Sequence, residues 1–436
     1  MGAAADFNIW WGLLGLLPLL VYVILVFRDV DPLPVTVLCV VIGAIITGQD
    51  LVSFGNVMSK AMGSFLALVG LIIMLGRGLG EVLTETKVSH TLVHKIIYGI
   101  GVDTENKAML GMILSCLVVV GLLGTMAGGN AILAPIILPI AAAAGLSRST
   151  VGVLFQACGE EALILGPFTP PVITLLGLTH TNYGEMLLTV ALPIAAVTLI
   201  TTWIVVHRIQ KATKDTNAYE IPENVNQFVP TKRQTNTSTL FILAFIVAVV
   251  YGIIAKAGTS YVIVVMLGLS LIVGVAGGLT FDRVFKLIVK GMAGNVGLFI
   301  LFVFLDPFMN FIEQAGGFKA LSLILQPLVN LGGKPFVAII GGLTGAFGLT
   351  GATVAVLKML NDMFGNLVVQ YGVTMAAWSV GLVVATRVAN FVYPGSNMFS
   401  SMGFAESKDI KSMIKNGVIV AIAQICFLVV YAYMFS

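Results

Sequence analysis

The stretch VGVLFQACGEEALILGPFTPP, residues 151–171, combines a long apolar run with two adjacent acids and a sharp interruption. The apolar run ends at Gly166, and three prolines follow within five residues. Proline lacks a backbone N–H and clashes with the preceding turn, so a helix cannot continue through this segment. Interrupted backbone at membrane depth occurs where it lines a cavity inside the protein. The stretch therefore predicts a discontinuous membrane helix over about 149–179, with Glu160 and Glu161 just before its break.

The composition of the whole chain indicates a membrane protein. Of its 436 residues, 58% are hydrophobic and only 10% are charged, and the mean hydropathy is +1.03. Soluble domains carry about 25% charged residues, so a soluble protein of this length could not cover its surface with so few charges. This excludes a cytosolic enzyme, a nucleic-acid-binding protein and a disulfide scaffold. The four cysteines lie in apolar runs and are interpreted as packing residues.

A polar stretch at 208–238 divides the chain into two halves, each with seven apolar runs. When the halves are aligned at an offset of 227 residues, Glu160 coincides with Arg387 and Pro167 with Pro394. The helix break of the first half thus has a counterpart in the second. Coinciding breaks favour an internal repeat, because many transporter folds are built from two related halves.

Each half also contains two apolar arms joined by an uncharged polar tip, a pattern typical of a re-entrant hairpin. If the hairpins do not cross the membrane, each half crosses it five times. Because five is an odd number, the second half then has the opposite orientation in the membrane from the first. We therefore predict an all-α polytopic membrane protein with two inverted repeats of about five transmembrane helices, each with a re-entrant hairpin and a discontinuous helix. The predicted boundaries are 1–207 for the first repeat, 208–238 for a cytoplasmic linker, 239–436 for the second repeat, about 108–145 and 336–371 for the hairpins, and about 149–179 and 373–402 for the discontinuous helices.

The distribution of positive charge supports this topology. With the N-terminus outside and the linker inside, 16 of the 23 Lys and Arg residues are cytoplasmic, 4 are outside, and 3 lie within or beside apolar segments. Lys and Arg are enriched in the cytoplasmic loops of membrane proteins. We therefore expect a multi-pass protein of the cell (inner) membrane with both termini outside.

Ionisable side chains within apolar segments cost about 2.5–3.5 kcal/mol each on insertion scales and usually mark function. Two adjacent acids in a low dielectric are not both cheaply ionised, so Glu160 and Glu161 are candidates for ion or proton coupling. Asp306, in the apolar run before Pro307, is a third candidate for proton coupling. A buried Arg387 would either bind a substrate carboxylate bidentately or form a structural ion pair with one of the two glutamates. The sequence leaves both roles open.

Polar side chains also gather at the hairpin tips and at the helix breaks. Broken helices expose unpaired backbone groups, and the helix dipole favours an anion at the N-terminal end of a half-helix. Hydroxyl and amide groups there are suited to orient a carboxylate. The predicted substrate-binding residues are Thr125, Gly129, Asn130, Thr169, Thr350, Thr353, Arg387, Ser396 and Asn397.

Motifs for catalysis or for a metal are missing from the sequence. It contains no Walker-type phosphate loop, HExxH or GxSxG, so an ATP-driven pump and a membrane hydrolase lack support. His90 and His94 have no evident third ligand, so no metal site is predicted. We expect a protein that is not an enzyme and that needs no cofactor beyond H⁺ or Na⁺ as a coupling ion.

Several segments resemble the ion transporter superfamily, and the gluconate permease (GntP) family most closely. Residues 63–77, GSFLALVGLIIMLGR, are similar to that family's G-S-L-A-L-x-x-G…M-L-G-K segment. Residues 134–139 with 166–171 are similar to its L-P-L and G-F-L-P-P-H-P-G-P stretches, and 351–355, GATVA, to its G-S-A-T-V-A. The chain departs from the family at Val172, where a histidine is expected. The resemblance implies proton-coupled symport of an organic anion, by movement of hairpins and broken helices against a scaffold that dimerises.

Two functions are consistent with these features. The first is cation-coupled uptake of a small organic anion or amino acid by alternating access, with H⁺ or Na⁺ as the driving ion. The second is a Na⁺/H⁺ antiporter that uses the pair Glu160 and Glu161, similar to the NhaC-type antiporters of the same superfamily. The expected partners are a small carboxylate, a coupling cation, the lipid bilayer and a second copy of the chain, with no nucleic acid.

Overall fold

The computed structural model describes residues 8–26, 28, 30–220, 228–345 and 353–436, and this part of the chain is helical without a β-strand. The helices of the first half are α1 Ile9–Gly15, α2 Leu17–Val26, α3 Pro32–Ile46, α4 Leu51–Ala61, α5 Phe65–Glu85, α6 Val88–Ile100, α7 Glu105–Leu123, α8 Met126–Ala143, α9 Arg148–Leu165, α10 Pro170–Thr179, α11 Tyr183–Met186 and α12 Leu192–Thr213, with a π-helical turn at Leu187–Ala191. Those of the second half are α13 Lys232–Ile254, α14 Tyr261–Ala276, α15 Phe281–Ala293, α16 Val296–Gln314, α17 Gly317–Gly332, α18 Lys334–Gly345, α19 Thr353–Tyr371, α20 Met375–Val392, α21 Ser396–Phe404 and α22 Ile410–Phe435.

Ten helical stretches within the described residues are long and apolar enough to cross a membrane. They include both arms of the first hairpin, α7 and α8, and they count α9 with α10 as one stretch. The prediction of an all-α polytopic membrane protein is therefore confirmed. The inverted relation of the halves and the re-entrant course of the hairpins stay predictions.

The polar connection between the halves is shorter than the predicted linker, 208–238. Helix α12 continues to Thr213 and helix α13 begins at Lys232, so both helices extend into the polar stretch. The start of α13 is fixed by a capping box. The side-chain hydroxyl of Thr231 accepts from the backbone N–H of Gln234, and the side-chain oxygen of Gln234 accepts from the backbone N–H of Thr231. These bonds satisfy backbone donors that a helix start leaves unpaired, so polar sequence remains helical here.

Glycines permit the tight turns around the first helix break. The hairpin turns at Gly124, whose φ of +65° is a left-handed conformation that glycine adopts without strain. In α8, a Cβ atom on Gly129 would lie 2.4 Å from a methyl group of Val120, so the hairpin arms are in close contact. At the end of α9, a Cβ on Gly166 would lie 2.4 Å from the backbone oxygen of Gly121. The break is therefore packed directly against the hairpin.

The second half repeats this order of elements. Helices α18 and α19 pack against each other as two arms, and α20 and α21 are separated by residues 393–395. Residues 346–352, with the predicted site residue Thr350, lie outside the described residues. Helix α9 packs against α7 and α12, and α20 packs in the same way against α18 and α22. The two helices that precede the breaks thus lie inside one bundle, while α3, α5, α14, α15 and α16 pack together as another group.

The crossing of α5 and α15 gives a test of this packing. A Cβ on Gly291 would lie 2.6 Å from the backbone oxygen of Arg77 and 2.7 Å from the Cα of Gly78, and neither backbone can move aside cheaply. We expect Gly291→Ala to lower the melting temperature of the purified protein, because overpacking costs about 1–3 kcal/mol. The matched control is Gly268→Ala in α14, where no described atom lies within 4 Å of the added methyl group. The control should keep or raise the melting temperature, since alanine favours a helix by about 1 kcal/mol over glycine; equal melting temperatures for the two variants would contradict the tight crossing.

Candidate functional site

An ion pair between Glu160 and Arg387 lies at the centre of the helical bundle. Glu160 belongs to the last turns of α9 and Arg387 to the last turns of α20, and both side chains are 0% exposed. Nη1 of Arg387 donates to a carboxylate oxygen of Glu160 and, at 2.9 Å, to its backbone carbonyl. The two residues are those that coincide at the 227-residue offset of the halves, so equivalent positions before the two breaks contact one another. The structural ion pair left open by the sequence is therefore present.

The carboxylate of Glu160 is saturated with donors from the second half of the chain. Asn390 of α20 donates through Nδ2 to one carboxylate oxygen at 3.1 Å, and Asn397 of α21 donates to the other at 2.9 Å. Asn390 Nδ2 also lies 3.4 Å from the hydroxyl of Thr353, at the start of α19. Charged and amide donors therefore surround this carboxylate inside the bundle, and Arg387 compensates its charge. Glu160 thus fastens α9 to two helices of the second half, α20 and α21.

A chain of buried hydrogen bonds extends the site to the first hairpin. Gln156, one turn before Glu160 on α9, donates to the backbone carbonyl of Asn390 at 3.2 Å. Its side-chain oxygen accepts from the hydroxyl of Ser401 in α21, also at 3.2 Å. Ser401 in turn accepts from Asn130 of α8 at 3.4 Å. Polar groups from one hairpin, from both helices that precede the breaks and from the second half-helix α21 therefore form one connected network.

Several predicted substrate-binding residues do not join this network through a hydrogen bond in the described structure. Thr169 is fully buried, and its hydroxyl contacts the backbone carbonyls of Leu163 and Gly166 within its own break. Thr125 is half-buried at the start of α8, and Ser396 is exposed at the start of α21. Gly129 serves the contact between the hairpin arms. The predicted residues that the structure does bring together are Asn130, Glu160, Thr353, Arg387 and Asn397.

Asp306 belongs to a different charged cluster. It lies half-buried in α16 and accepts from Asn310 at 3.0 Å. The nearby charge is that of Lys358 in α19, which pairs with Asp362 one turn further along at 2.6 Å. The predicted coupling residue is thus placed where α16 meets the second hairpin, among a lysine and a second aspartate.

One edge of the Arg387 guanidinium has no partner. Nη1 is bound to Glu160, whereas Nε and Nη2 are buried without a hydrogen bond among the described residues. A cavity of about 10 Å³, lined by Thr386, Arg387 and apolar side chains of α9, α10, α19 and α20, lies beside this arginine. A cavity of about 10–15 Å³ holds one water molecule. This cavity beside Arg387 is therefore too small for an organic molecule.

Glu161 faces different neighbours from Glu160. Its side chain is 0% exposed, and neither carboxylate oxygen has a hydrogen-bond partner in the described part of the protein. Adjacent residues of a helix point about 100° apart, so the two acids of the pair serve separate surroundings.

Three members of the network, Gln156, Asn390 and Ser401, were not among the predicted site residues. Helical spacing carried a signal for two of them, because Gln156 precedes Glu160 by four residues and Asn390 follows Arg387 by three, which places each pair on one helix face. Ser401 carries no comparable signal, since its contact depends on how α21 packs against α9.

Comparison with known proteins shows which family the chain belongs to. A polytopic helical fold in which two interrupted helices meet at a buried ion pair is characteristic of secondary transporters. The chain matches the GntP family permease model over residues 7–259, more than half of its length, and it belongs to that family. The matched part includes Glu160 and Glu161, whereas Arg387 lies beyond it. Comparison with curated proteins gave no significant match.

A solved structure supports the fold of the whole chain. The structure is similar to that of the Alcanivorax borkumensis YdaH transporter, which is described as having an unusual topology, with a TM-score of 0.59 over 88% of this chain and 90% of that one. The two sequences are 14% identical, so the similarity concerns the fold. Family and fold together identify the protein as a secondary transporter.

The buried ion pair predicts a large effect of its removal on stability. We expect Glu160→Gln to lower the free energy of unfolding by about 3–5 kcal/mol, because it leaves Arg387 as an uncompensated buried cation. The double variant Glu160→Leu with Arg387→Met should recover most of this loss, since apolar side chains of similar volume replace both charges. Thermal unfolding in detergent measures both effects.

The matched control is Glu81→Gln, which breaks the exposed ion pair of Glu81 with Lys290 at 2.8 Å. Exposed pairs contribute about 0–1 kcal/mol, so this control should change the melting temperature little. A loss at Glu160 no larger than that at Glu81 would contradict the stabilising role of the buried pair.

Proposed function

We propose that the protein is a cation-coupled transporter that takes up a small organic anion or an amino acid by alternating access, with Arg387 as the carboxylate-binding residue. The observation that carries this proposal is the edge of the buried guanidinium formed by Nε and Nη2, which has no hydrogen-bond partner among the described residues. Arginine binds carboxylates through two parallel N–H bonds, and Nε with Nη2 provides such a pair. Buried donors without partners are costly, so a ligand that satisfies them binds with a favourable free energy.

The charge balance of the site favours coupling to a cation. Glu160 and Arg387 neutralise each other, so an incoming carboxylate adds one uncompensated negative charge to the buried site. A charge in the interior of a membrane protein is costly unless it is paired. A cation that enters with the substrate removes this cost, and Glu161 supplies a carboxylate for it. This arrangement favours symport, because the charge of the bound anion and that of the bound cation each lower the free-energy cost of binding the other.

The cavity of about 10 Å³ beside Arg387 requires a conformational change during transport. The hydrogen bond between Asn397 and Glu160 holds the start of α21 against α9. We propose that this bond opens when the hairpins and broken helices move, which admits the substrate to Arg387. Asn130, Thr353 and Asn397 would then be available to the polar groups of the substrate.

A Na⁺/H⁺ antiporter is the alternative function. It is favoured by one observation: the two oxygens of Glu161 have no hydrogen-bond partner within the described part of the chain, and a carboxylate in this state is suited to exchange one cation for another. In that case Arg387 serves only as the counter-ion of Glu160. The two functions differ in whether a carboxylate binds at all.

A thermal-shift screen of the purified protein separates the two functions. The ligands are monocarboxylates, dicarboxylates, sugar acids and amino acids, with and without Na⁺, at mildly acidic and at neutral pH. A ligand at about 100 times its dissociation constant should stabilise the protein by about 2.7 kcal/mol. We expect one carboxylate class to stabilise the wild type and to have little effect on Arg387→Lys, which keeps the charge paired with Glu160 but lacks the bidentate edge.

The double variant Glu160→Leu with Arg387→Met is the second test protein, because it removes the arginine without leaving a buried charge. It should unfold cooperatively and fail to respond to the same carboxylates. Stabilisation by Na⁺ or Li⁺ alone, lost in Glu161→Gln, would replace the symporter with the antiporter. An undiminished carboxylate response in Arg387→Lys would remove Arg387 from the binding site.

A further inference from the structure

A second buried polar cluster lies on the face of α9 that carries Glu161. It consists of Glu161, Thr198 of α12 and Gln424 of α22, and all three side chains are 0% exposed. Gln424 donates through Nε2 to the hydroxyl oxygen of Thr198 at 2.6 Å. The Thr198 hydroxyl lies beside the carboxyl group of Glu161. The cluster thus joins α9 to the last long helix of each half.

The three side chains contain more hydrogen-bond acceptors than donors. The Thr198 hydroxyl has a single proton, and the backbone carbonyl of Ile194 at 3.1 Å competes with Glu161 for it. Both oxygens of Glu161 and Oε1 of Gln424 are buried without a partner among the described residues. Buried acceptors that face no donor are strongly disfavoured. One proton on Glu161 corrects this imbalance, because it turns a carboxylate into a hydrogen-bond donor.

We propose that Glu161, Thr198 and Gln424 form the binding site of the coupling ion, and that this ion is a single proton. The proposal rests on the proposed function, whose coupling cation it identifies and places apart from the carboxylate site at Arg387. A proton taken up from one side of the membrane forms an O–H bond on Glu161, which then donates to an acceptor of the cluster. Release to the other side restores the carboxylate.

The oxygen atoms of this cluster suit a proton better than a metal cation. A hard metal cation takes about six oxygen ligands. Thr198 already accepts from Gln424, so the two oxygens of Glu161 and Oε1 of Gln424 remain as ligands. The residues that the structure describes contain no group of three or more His, Cys, Asp or Glu side chains that could hold a metal ion. A proton bound to Glu161 needs a single acceptor, and Oε1 of Gln424 is available for it.

The charged neighbours of Glu161 couple this cluster to the anion site. The titratable groups that face it are Arg387 on α20, and Glu160 and Cys158 on α9, with Cys116 of α7 next to Cys158. Glu160 and Arg387 form a neutral pair, so a substrate carboxylate on the free edge of Arg387 adds a negative charge near Glu161. Uptake of a proton by Glu161 compensates for that charge. Binding of the anion thereby drives protonation at a second site.

Infrared difference spectroscopy of the full-length protein in lipid tests this site without any substrate. The spectra compare acidic with alkaline pH and report the C=O stretch of a protonated carboxyl group in a buried position. We expect the wild type to gain such a band as the pH falls, and Glu161→Gln to lose it. Gln424→Met removes an acceptor at nearly constant length, so the band should remain and shift to higher wavenumber as the carboxyl group loses its partner.

The matched control is Asn416→Leu, on the same helix as Gln424 and two turns away. Asn416 is buried and lies 3.5 Å from Thr202 of α12, so the control disturbs the same helix pair without touching the cluster. Its band should equal that of the wild type. Replacing Na⁺ by K⁺ should leave the pH midpoint of the band unchanged.

A band that persists in Glu161→Gln would overturn the proton site, and so would a midpoint that shifts with Na⁺. A shift in Asn416→Leu equal to that in Gln424→Met would remove Gln424 from the site. These outcomes are independent of the carboxylate screen. A carboxylate response with no Glu161 band would overturn the proton site alone, and the band without any carboxylate response would overturn the anion site alone.

Discussion

Burial of an arginine in an apolar bundle is tolerable only when its charge is neutralised nearby, and the centre of this protein is organised around that requirement. Glu160 neutralises Arg387 and in turn receives Asn390 and Asn397, so one carboxylate holds α9, α20 and α21 together. Removal of either charge alone would leave the other one uncompensated in a medium of low dielectric constant. The interrupted helices can therefore end inside the protein, because their polar groups meet partners there.

The two adjacent glutamates lie in different surroundings. The carboxylate of Glu160 bonds to the second half of the chain. Glu161, rotated by about 100° on the same helix, lies beside Thr198 of α12, and its oxygens have no hydrogen-bond partner that meets the distance and angle limits among the described residues. One turn of helix thus carries one carboxylate with several hydrogen-bond donors and one carboxylate with few. The proposed proton site at Glu161 is compatible with this arrangement, because a proton could bind there without disturbing the bonds of Glu160.

Close backbone packing makes this centre possible. Gly121 and Gly166 allow the first hairpin to pack against the first break. Gly345 of α18 packs directly against Ala385, which precedes Arg387 by two residues, and leaves no room for a Cβ atom there. Small residues allow helices to approach closely in a membrane, where lipid provides no hydrophobic drive for association. The polar network of Asn130, Ser401 and Gln156 then forms across these contacts, and it links elements that are expected to move relative to one another.

The sequence by itself determined the membrane class, the positions of both helix breaks and the placement of Glu160 and Arg387 in the apolar segments just before those breaks. These features follow from local rules, since proline stops a helix wherever it occurs and a charge in an apolar run is costly in any fold. Tertiary structure alone decided that Glu160 pairs with Arg387, that Thr169 bonds within its own break, and that Gln424 lies beside Thr198. Those outcomes depend on the rotation and contact of helices far apart in the chain, which no local pattern of residues encodes.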